Sequence, residues 1–327
     1  RLVLAAPLCY NRSMRFLITG GAGFIGTTLA NHLVRTGHHV RVLDDLSAGD
    51  PSRLDARVLF SRGDVRNVPN LWTLLQDVEC VYHLAARISV PESVLYPLEY
   101  NDVNVGGTVA LLTAVRDVGV PRVVLTSSAS VYGNQPGQPV HETMQPSPKS
   151  PYAITKIAAE HYLFMLGRLY NCDAVALRVF NAYGPGQRIP PAHAPVVPLF
   201  LRRALTGGSL VVHGNGSQTR DFVHIDDVVR ALTAAASVPE VDGQVINIGS
   251  GQETSIQDLA RVVGSVAGRA PSIIYNESQS PGVARLVADI SLARRLLGYA
   301  PEVGLEQGLN DLLKIAGQFE RRKLVAA

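Results

Sequence analysis

The chain contains 327 residues, 46% of them hydrophobic, which is enough for one large core or for a core with a smaller lobe attached. Its 30 Lys and Arg residues against 27 Asp and Glu residues give a net charge of +3, too even a balance for a general nucleic-acid or membrane-binding surface. No apolar run reaches the ~18 residues of a membrane span. Cys9, Cys80 and Cys172 have no metal-ligand spacing, so we expect a cytoplasmic protein with reduced thiols and no metal site.

The first half of the chain alternates short apolar runs with amphipathic stretches. Residues 1–13 are interpreted as an N-terminal extension ahead of Met14. Strands are predicted at 15–19, 40–43, 58–60, 81–84, 123–126 and 175–179, and helical stretches from the glycine cluster to 36, around 70–76, and at 103–118 and 153–170. Because the strands are apolar throughout, the pattern predicts a doubly wound parallel α/β sheet, the Rossmann arrangement, with helices on both faces.

The pattern changes after Asn181. Residues 182–198 are rich in Pro and Gly, strand-like pieces follow at 210–213, 222–224 and 245–248, and helical patterns occur at 255–266 and 291–297. We therefore predict a first domain of residues 14–181, to which residues 222–252 return, and a smaller mixed α/β lobe of residues 182–221 and 253–320. A ligand is expected in the crevice outside the carboxyl ends of the sheet strands.

A glycine cluster between the first strand and the first helix predicts a dinucleotide site. Gly20, Gly23 and Gly26 let the backbone approach a pyrophosphate, which the amide groups of the helix N-terminus attract. Asp44 ends the second strand, close to the ~20-residue spacing expected of the acid that binds an adenosine ribose. Its carboxylate would repel a 2′-phosphate, so NAD is the predicted cofactor. Asp64, after the third strand, is a candidate for contact with the adenine amino group.

Tyr152 and Lys156 lie four residues apart at the start of a predicted helix, so their side chains share one face. A phenol with a pKa near ~10 is a poor base at neutral pH, but a nearby ammonium and a positive nicotinamide ring favour the phenolate. Tyr152 would then remove a proton from a substrate hydroxyl. Ser128, at the end of an earlier strand, would share that proton.

Seven motifs, in order along the chain, resemble those of the extended short-chain dehydrogenase/reductases in the NAD-dependent epimerase/dehydratase family. They are GGAGFIG at 20–26, HLAA at 83–86, SSASVYG at 127–133, YAITK at 152–156, RVFNAYGPGQ at 178–187, RDFVHIDDV at 220–228 and NIGSG at 247–251. The resemblance implies catalysis by Ser128, Tyr152 and Lys156, a non-dissociating NAD, and a homodimer built through two helices of each subunit. It further implies cofactor contacts from Phe24, Ile25, Val65, Ala85, Ala86, Tyr152 and Lys156.

The same resemblance implies a nucleotide-diphosphate sugar as substrate. Ser128 and Asn181 would bind in the sugar-phosphate region, and Arg220 and Arg285 would meet the diphosphate through forked, charge-assisted hydrogen bonds. The nucleotide pocket would be lined by Val197, Pro198 and Val212. Leu286 would form a wall of the sugar pocket, and since its side chain offers no hydrogen bond to an acetamide, we expect glucose and galactose to be preferred over their N-acetyl counterparts.

The two residues after Ser128 bear on the reaction. Family dehydratases carry an Asp-Glu pair there, which protonates the departing hydroxyl and takes the carbon-5 proton, and family decarboxylases tend to carry Glu at the second position. Ala129 and Ser130 stand there in this chain, so the resemblance implies a 4-epimerase, most simply of a UDP-hexose. The alternatives are a 4,6-dehydratase, a decarboxylase or another enzyme forming a 4-keto sugar, and a catalytically silent NAD-binding regulator. No residue excludes dTDP, GDP or CDP in place of UDP.

Overall fold

The computed structural model describes residues 12–190, 193–278 and 282–314. In these ranges the strands are β1 (Arg15–Thr19), β2 (His39–Asp44), β3 (Leu59–Arg62), β4 (Cys80–His83), β5 (Arg122–Ser128), β6 (Asp173–Val179), β7 (Asn181–Tyr183), β8 (Leu210–His213), β9 (Thr219–Arg220), β10 (Phe222–His224), β11 (Gln244–Ile248), β12 (Thr254–Ser255) and β13 (Ile273–Asn276). The helices are α1 (Phe24–Arg35), α2 (Val68–Leu74), α3 (Val90–Leu95), α4 (Pro97–Asn101), α5 (Gly107–Val118), α6 (Pro151–Tyr170), α7 (Val196–Thr206), α8 (Ile225–Ala235), α9 (Ile256–Val266) and α10 (Ser291–Leu297). Residues 305–314 are helical as well.

Seven parallel strands form the main sheet, in the spatial order β11, β6, β5, β4, β1, β2, β3. The order of the chain through the sheet reverses between β1 and β4, which opens a crevice at the carboxyl ends of these strands. All four residues of β4 and six of the seven in β5 are buried, because helices cover both faces of the sheet. The predicted doubly wound parallel α/β fold is thus confirmed.

Two hydrophobic clusters fill the space between the sheet and its helices. On one face, Leu29 and Leu33 of α1 pack with Val228 and Leu232 of α8. On the other face, the helices that contribute are α2, α5 and α6, with Leu71, Leu111 and Leu163 among the buried side chains. The pairing of β11 with β6 and the packing of α8 on α1 support, as a proposal, the return of residues 222–252 to the first domain.

A third cluster forms the core of a smaller lobe. It includes Tyr183, Phe200 of α7, Leu259 of α9 and Leu309. Short two-stranded sheets join β8 with β13, β9 with β12, and β7 with β10. Not all of the predicted lobe segment 253–320 packs here, because the stretch from Leu286 to Tyr299 contributes to the main sheet's first cluster.

The structure also contains helices that the sequence pattern did not predict. α3 and α4 occupy a stretch after β4, α7 begins at Val196 inside the segment interpreted as Pro- and Gly-rich loop, and α8 follows β10 without a break. A π-helical turn at Asp102–Gly106 stands at the start of the stretch predicted as one helix over 103–118. Within the described residues, no helix is long and apolar enough to span a membrane. Most of the predicted extension, residues 1–11 with Cys9, lies outside the described residues.

Candidate active site

The turn between β1 and α1 packs closely against neighbouring backbone. Gly20 has a positive φ of 71°, and a Cβ there would lie 2.6 Å from the amide nitrogen of Ala85. A Cβ on Gly26 would lie 2.4 Å from the carbonyl oxygen of Gly20, whereas the nearest atom to a Cβ on Gly23 is 3.2 Å away. A side chain at position 20 or 26 would therefore clash with neighbouring backbone atoms, so these two positions require glycine. Position 23 leaves more room for a Cβ.

α1 starts directly after this turn, with Phe24 and Ile25 in its first turn. Its N-cap residue is Gly23, and no side chain of the described residues caps the helix. The first amide groups of an α-helix have no intrahelical acceptor and carry the positive end of the helix dipole. A glycine turn that leads into an uncapped helix N-terminus fits the pyrophosphate of NAD.

Asp44 ends β2 beside the glycine turn, and its side chain is 7% exposed. One carboxylate oxygen accepts a hydrogen bond from the amide of Ala22 at 3.0 Å, and the other accepts from the amide of Leu46 at 2.8 Å. Burial raises the pKa of Asp44, and the two backbone hydrogen bonds oppose that shift. The carboxylate is therefore held in place, and its remaining lone pairs can accept from ribose hydroxyls.

The other predicted cofactor residues lie after β3 and β4. Asp64 makes a forked ion pair with Arg66, which lowers the pKa of the Asp64 carboxyl. Val65 is buried in the second core cluster. Ala85 and Ala86 follow β4 and are half-buried. An adenine amino group at this position would share the Asp64 carboxylate with Arg66.

Ser128 and Tyr152 meet where β5 ends and α6 begins. The hydroxyl of Ser150 caps α6 by accepting the amide of Ala153 at 3.2 Å, which sets Tyr152 in the first turn. The Ser128 oxygen accepts the amide of Ser130 at 3.2 Å, so this serine both turns the chain and faces the tyrosine. Burial raises the pKa of Tyr152 to about 12, and a hydrogen bond with Ser128 opposes the shift.

Lys156 lies one turn further along α6 and is also buried. Its ammonium donates a hydrogen bond to the carbonyl oxygen of Thr126 at 2.9 Å. Burial lowers the pKa of Lys156 to about 8, and the Glu160 carboxylate opposes that shift. The lysine is thus charged at neutral pH, while the Tyr152 phenol is protonated there in the absence of ligand.

Two predicted diphosphate ligands lie on neighbouring stretches of backbone. The amide of Thr219 donates to the carbonyl of Ala284 at 2.9 Å, which brings Arg220 and Arg285 onto adjacent segments. Arg220 donates to the carbonyl oxygen of Thr219 at 2.8 Å, and burial lowers its pKa. Arg285 is about half exposed and makes two hydrogen bonds of 2.7 Å to the carboxylate of Glu253. Its guanidinium would have to be shared with, or released from, this glutamate to bind a diphosphate.

The remaining predicted substrate residues differ in accessibility. Asn181 is exposed at the start of β7. Val197 and the predicted pocket residue Val212 are buried in the core of the smaller lobe. Pro198, also predicted for the pocket, is buried on α7. Leu286 is 6% exposed and packs with the main core. Of these five, Asn181 is the residue open to a ligand in this conformation.

Asp221 is a site residue that the sequence analysis missed. Its side chain is fully buried and accepts hydrogen bonds from the amides of Ser250, Gly251 and Ala288 at 2.6, 2.9 and 3.1 Å. It thereby joins the strand that carries Arg220 to two other loops. A carboxylate between a predicted phosphate-binding arginine and the apolar pair Phe222 and Val223 was the available signal.

Glu160 was missed as well, although its spacing from Lys156 is the same four residues that join Lys156 to Tyr152. Its buried carboxylate pairs with the buried Arg178 of β6, with an N–O distance of 2.7 Å. The i, i+4 spacing was the available signal. The arginine partner depends on strand register and could not be read from spacing.

No group of three or more His, Cys, Asp or Glu side chains in the described part of the chain is arranged to hold a metal ion. Cys80 and Cys172 are buried free thiols, and burial raises the pKa of both. A thiol with a raised pKa carries little thiolate and is a poor nucleophile. Neither thiol is therefore a candidate nucleophile.

Comparisons with known proteins place the chain among enzymes of nucleotide sugars. The model of the NAD dependent epimerase/dehydratase family matches residues 16–249. A UDP-glucose 4-epimerase of Mycolicibacterium smegmatis is 40% identical over 304 residues, which cover 90% of this chain and 96% of that protein. The crystal structure of the Thermotoga maritima UDP-glucose 4-epimerase with UDP-glucose matches with a TM-score of 0.89 at 34% identity, over 95% of this chain and 100% of that one. A UDP-N-acetylglucosamine 4-epimerase from Methanobrevibacter ruminantium, in complex with UDP-N-acetylmuramic acid, matches with a TM-score of 0.89 at 31% identity, over 94% and 99%.

Proposed function

We propose that this chain, which belongs to the NAD-dependent epimerase/dehydratase family, is a nucleotide-sugar 4-epimerase whose preferred substrates are UDP-glucose and UDP-galactose. The observation that carries the proposal is the placement of Ser128, Tyr152 and a buried, charged Lys156 where β5 ends and α6 begins, with the Lys156 ammonium on the Thr126 carbonyl oxygen. Ala129 and Ser130 follow the catalytic serine. They supply neither of the acids that elimination of water requires at those positions.

NAD would be held by the glycine turn at Gly20 and Gly26, by the N-terminus of α1 and by Asp44. When bound, it supplies the oxidation and re-reduction of sugar carbon 4. The chain's own contribution is to place the dinucleotide along the carboxyl ends of β1 and β2. The buried Asp44 carboxylate lies where a 2′-phosphate of NADP would meet a like charge.

Tyr152 would take the proton of the 4-hydroxyl and return it after the sugar has turned its other face. The protonated phenol of the ligand-free site must first become a better base. A positive charge beside it stabilises the phenolate, and Lys156 lies one turn away on the same helix. The Ser128 side chain lowers the pKa of Tyr152 and would share the proton during transfer.

The UDP-hexose assignment draws on the substrate-side arginines and on the relatives. Arg220 and Arg285 lie on adjacent segments, and two guanidinium groups suit a diphosphate. Several relatives and matched structures are named UDP-glucose 4-epimerases, while others are named for UDP-glucuronate or for an N-acetylated sugar. We propose the plain hexose because Leu286, which is buried in the core in this conformation, would offer no hydrogen bond to an acetamide if it lined the sugar pocket.

The proposed enzyme is a homodimer. On α6, Ile154, Tyr162, Met165 and Leu169 are exposed and lie on one stripe. Exposed apolar residues of α3 and α4, which pack beside α6, extend this surface: Val94, Leu95, Tyr96 and Leu98. Contiguous apolar surface of this kind marks an interface, and a second copy of the chain can cover it through a two-fold axis. We call these eight residues the helical patch.

One experiment tests the proposed function. The purified protein is incubated with a panel of nucleotide sugars, without added NAD, and the sugar signals are followed by NMR. We expect UDP-glucose and UDP-galactose to interconvert to one equilibrium mixture from either side. Accumulation of a 4-keto-6-deoxy sugar would instead establish a dehydratase, and loss of carbon dioxide from UDP-glucuronate would establish a decarboxylase.

A further inference from the structure

Three consecutive residues at the end of β5 each contact one of three residues spaced four apart on α6. The pairs are Thr126 with Lys156 and Ser127 with Glu160, which are joined by hydrogen bonds, and Ser128 with Tyr152, in which the serine lowers the pKa of the phenol. Residues four apart lie on the same face of a helix. The strand end and the helix are therefore joined at three successive points, of which the proposed reaction uses two.

The third point is built from buried charged groups. The Ser127 hydroxyl donates to Glu160 at 2.5 Å, and Arg178 of β6 donates to the same carboxylate through Nε at 3.0 Å and Nη2 at 2.7 Å. Both ends of the ion pair are 5% exposed. The guanidinium lies over the ring of Tyr132, 4.8 Å from its centre. A forked pair of this kind accepts only a narrow range of positions.

We propose that Glu160 is a positioning residue of the active site, which holds α6 in register on β5 so that Tyr152 stays opposite Ser128. The proposal rests on the proposed function, since it concerns the same three catalytic groups. Ser127 is the neighbour of Ser128 in the chain, and Arg178 lies opposite Ser127 in the strand register. A shift of α6 along the strand would therefore have to break the forked pair.

The same carboxylate acts on the charge of Lys156. Burial lowers the pKa of this lysine to about 8, and Glu160 opposes the shift. The titratable and charged groups that face the site from the surrounding elements are Tyr152 and Glu160 of α6, Tyr100 of α4, His83 of β4 and Arg178 of β6. Burial lowers the pKa of His83 to about 3, so His83 is neutral. Glu160 is thus the negative charge in this set that favours the ammonium.

The pKa of Lys156 can be measured directly by NMR, because the chain contains only four lysines: Lys149, Lys156, Lys314 and Lys323. Protein labelled with [ε-¹³C]lysine is titrated by NMR, and the Lys156 signal is assigned by its loss in Lys156→Met. We expect Glu160→Gln to lower the Lys156 midpoint by about one pH unit. The matched control is Asp173→Asn, which removes the carboxylate that pairs with Arg122 at the far end of β5 and β6. It should leave the Lys156 midpoint unchanged.

Turnover tests the positioning role. We expect Glu160→Gln to lower kcat about tenfold with little change in KM, because the loss affects the reacting groups and not ground-state binding. Its activity should also fall at lower pH than that of the wild type, since a lysine with a lowered pKa loses its charge earlier as pH rises. Asp173→Asn should keep the wild-type kcat and pH profile.

A second pair of variants covers the case in which Glu160→Gln does not fold. Ser127→Ala removes the hydroxyl that reaches Glu160, and Ser127→Thr keeps it; we expect a lowered kcat in the first and recovery in the second. The proposal is overturned if the Lys156 midpoint stays in place in Glu160→Gln and kcat falls no more than in Asp173→Asn, or, where Glu160→Gln does not fold, if kcat in Ser127→Ala stays at the wild-type value. If the wild type epimerises no nucleotide sugar, the proposed function fails, while the lysine titration still decides the role of Glu160.

Discussion

Tyr152 is buried, yet in the proposed reaction its hydroxyl must exchange a proton with the substrate. Burial, the larger effect, raises its pKa, and the contact with Ser128 partly offsets this. Replacing Tyr152 with Phe removes the proton acceptor and leaves the ring in place. We therefore expect Tyr152→Phe to lower kcat by ~10²–10⁴-fold with folding and bound NAD unchanged. Steady-state kinetics measures kcat, and the absorbance of released cofactor measures bound NAD. Near-normal turnover would refute the catalytic assignment.

Leu286 tests the substrate preference at the level of one side chain. We expect Leu286→Ser to raise the specificity constant for UDP-N-acetylglucosamine relative to UDP-glucose, by up to the ten- to hundredfold that a buried unpaired amide costs, ~1–3 kcal/mol. Leu286 packs in the main core, so the substitution also destabilises the fold. The ratio of the two specificity constants in one preparation is independent of the folded fraction.

The control for this prediction is Leu286→Ala, which makes a similar cavity without a hydroxyl. An increase confined to the serine variant would support a hydrogen bond to the acetamide. If the wild type already turns over the N-acetylated sugar with an equal or higher specificity constant, Leu286 does not restrict the sugar.

At the scale of elements, the turn from β1 into α1 distinguishes two glycines that look alike in sequence. A Cβ at position 26 would lie 2.4 Å from the Gly20 carbonyl oxygen and 2.5 Å from the Cα of Gly21, which are backbone atoms that cannot move aside cheaply. We expect Gly26→Ala to be isolated with little NAD and a lowered melting temperature. At Gly23 the nearest atom is 3.2 Å away and φ is −74°, so Gly23→Ala should keep its cofactor.

The comparison uses the NAD content per chain and the melting temperature of both variants. Equal cofactor retention in the two alanine variants would mean that the turn adapts, and that close packing does not explain the glycine at position 26.

The sequence predicted best the central strands of the main sheet. Both faces of these strands are buried, so each contains a continuous run of apolar residues. β4 and β5 read as unbroken apolar runs because helices cover both faces of the sheet. α8 was missed because β10 runs into it without Gly or Pro, and its N-cap is His224, an uncommon capping residue. α3 and α4 were missed because their apolar side chains are exposed in the single chain, so they show no amphipathic pattern.

The candidate site also contains residues that local spacing predicts and contacts that it does not. Tyr152 and Lys156 could be placed from spacing alone, because one helix carries both. The contact of Glu160 with Ser127 could not, since it depends on the register of α6 against β5. The ion pair between Arg285 and Glu253 likewise joins two loops, and no local pattern predicts such a contact.

At the scale of the whole molecule, the helical patch predicts the oligomeric state. α5 packs on α6, yet the stripe of Ile154 and Met165 stays open, at 56% and 59% exposure. We expect the wild type to sediment as a dimer at micromolar concentration and the double variant Ile154→Lys/Met165→Lys to sediment as a monomer, because a lysine buried without a partner is unfavourable in an apolar interface. Leu59→Lys is the matched control, since Leu59 is 65% exposed on β3 at the edge of the main sheet and outside the patch. It should remain dimeric. A wild type that sediments as a monomer would refute the dimer, and loss of the dimer in Leu59→Lys would place the interface at the sheet edge instead.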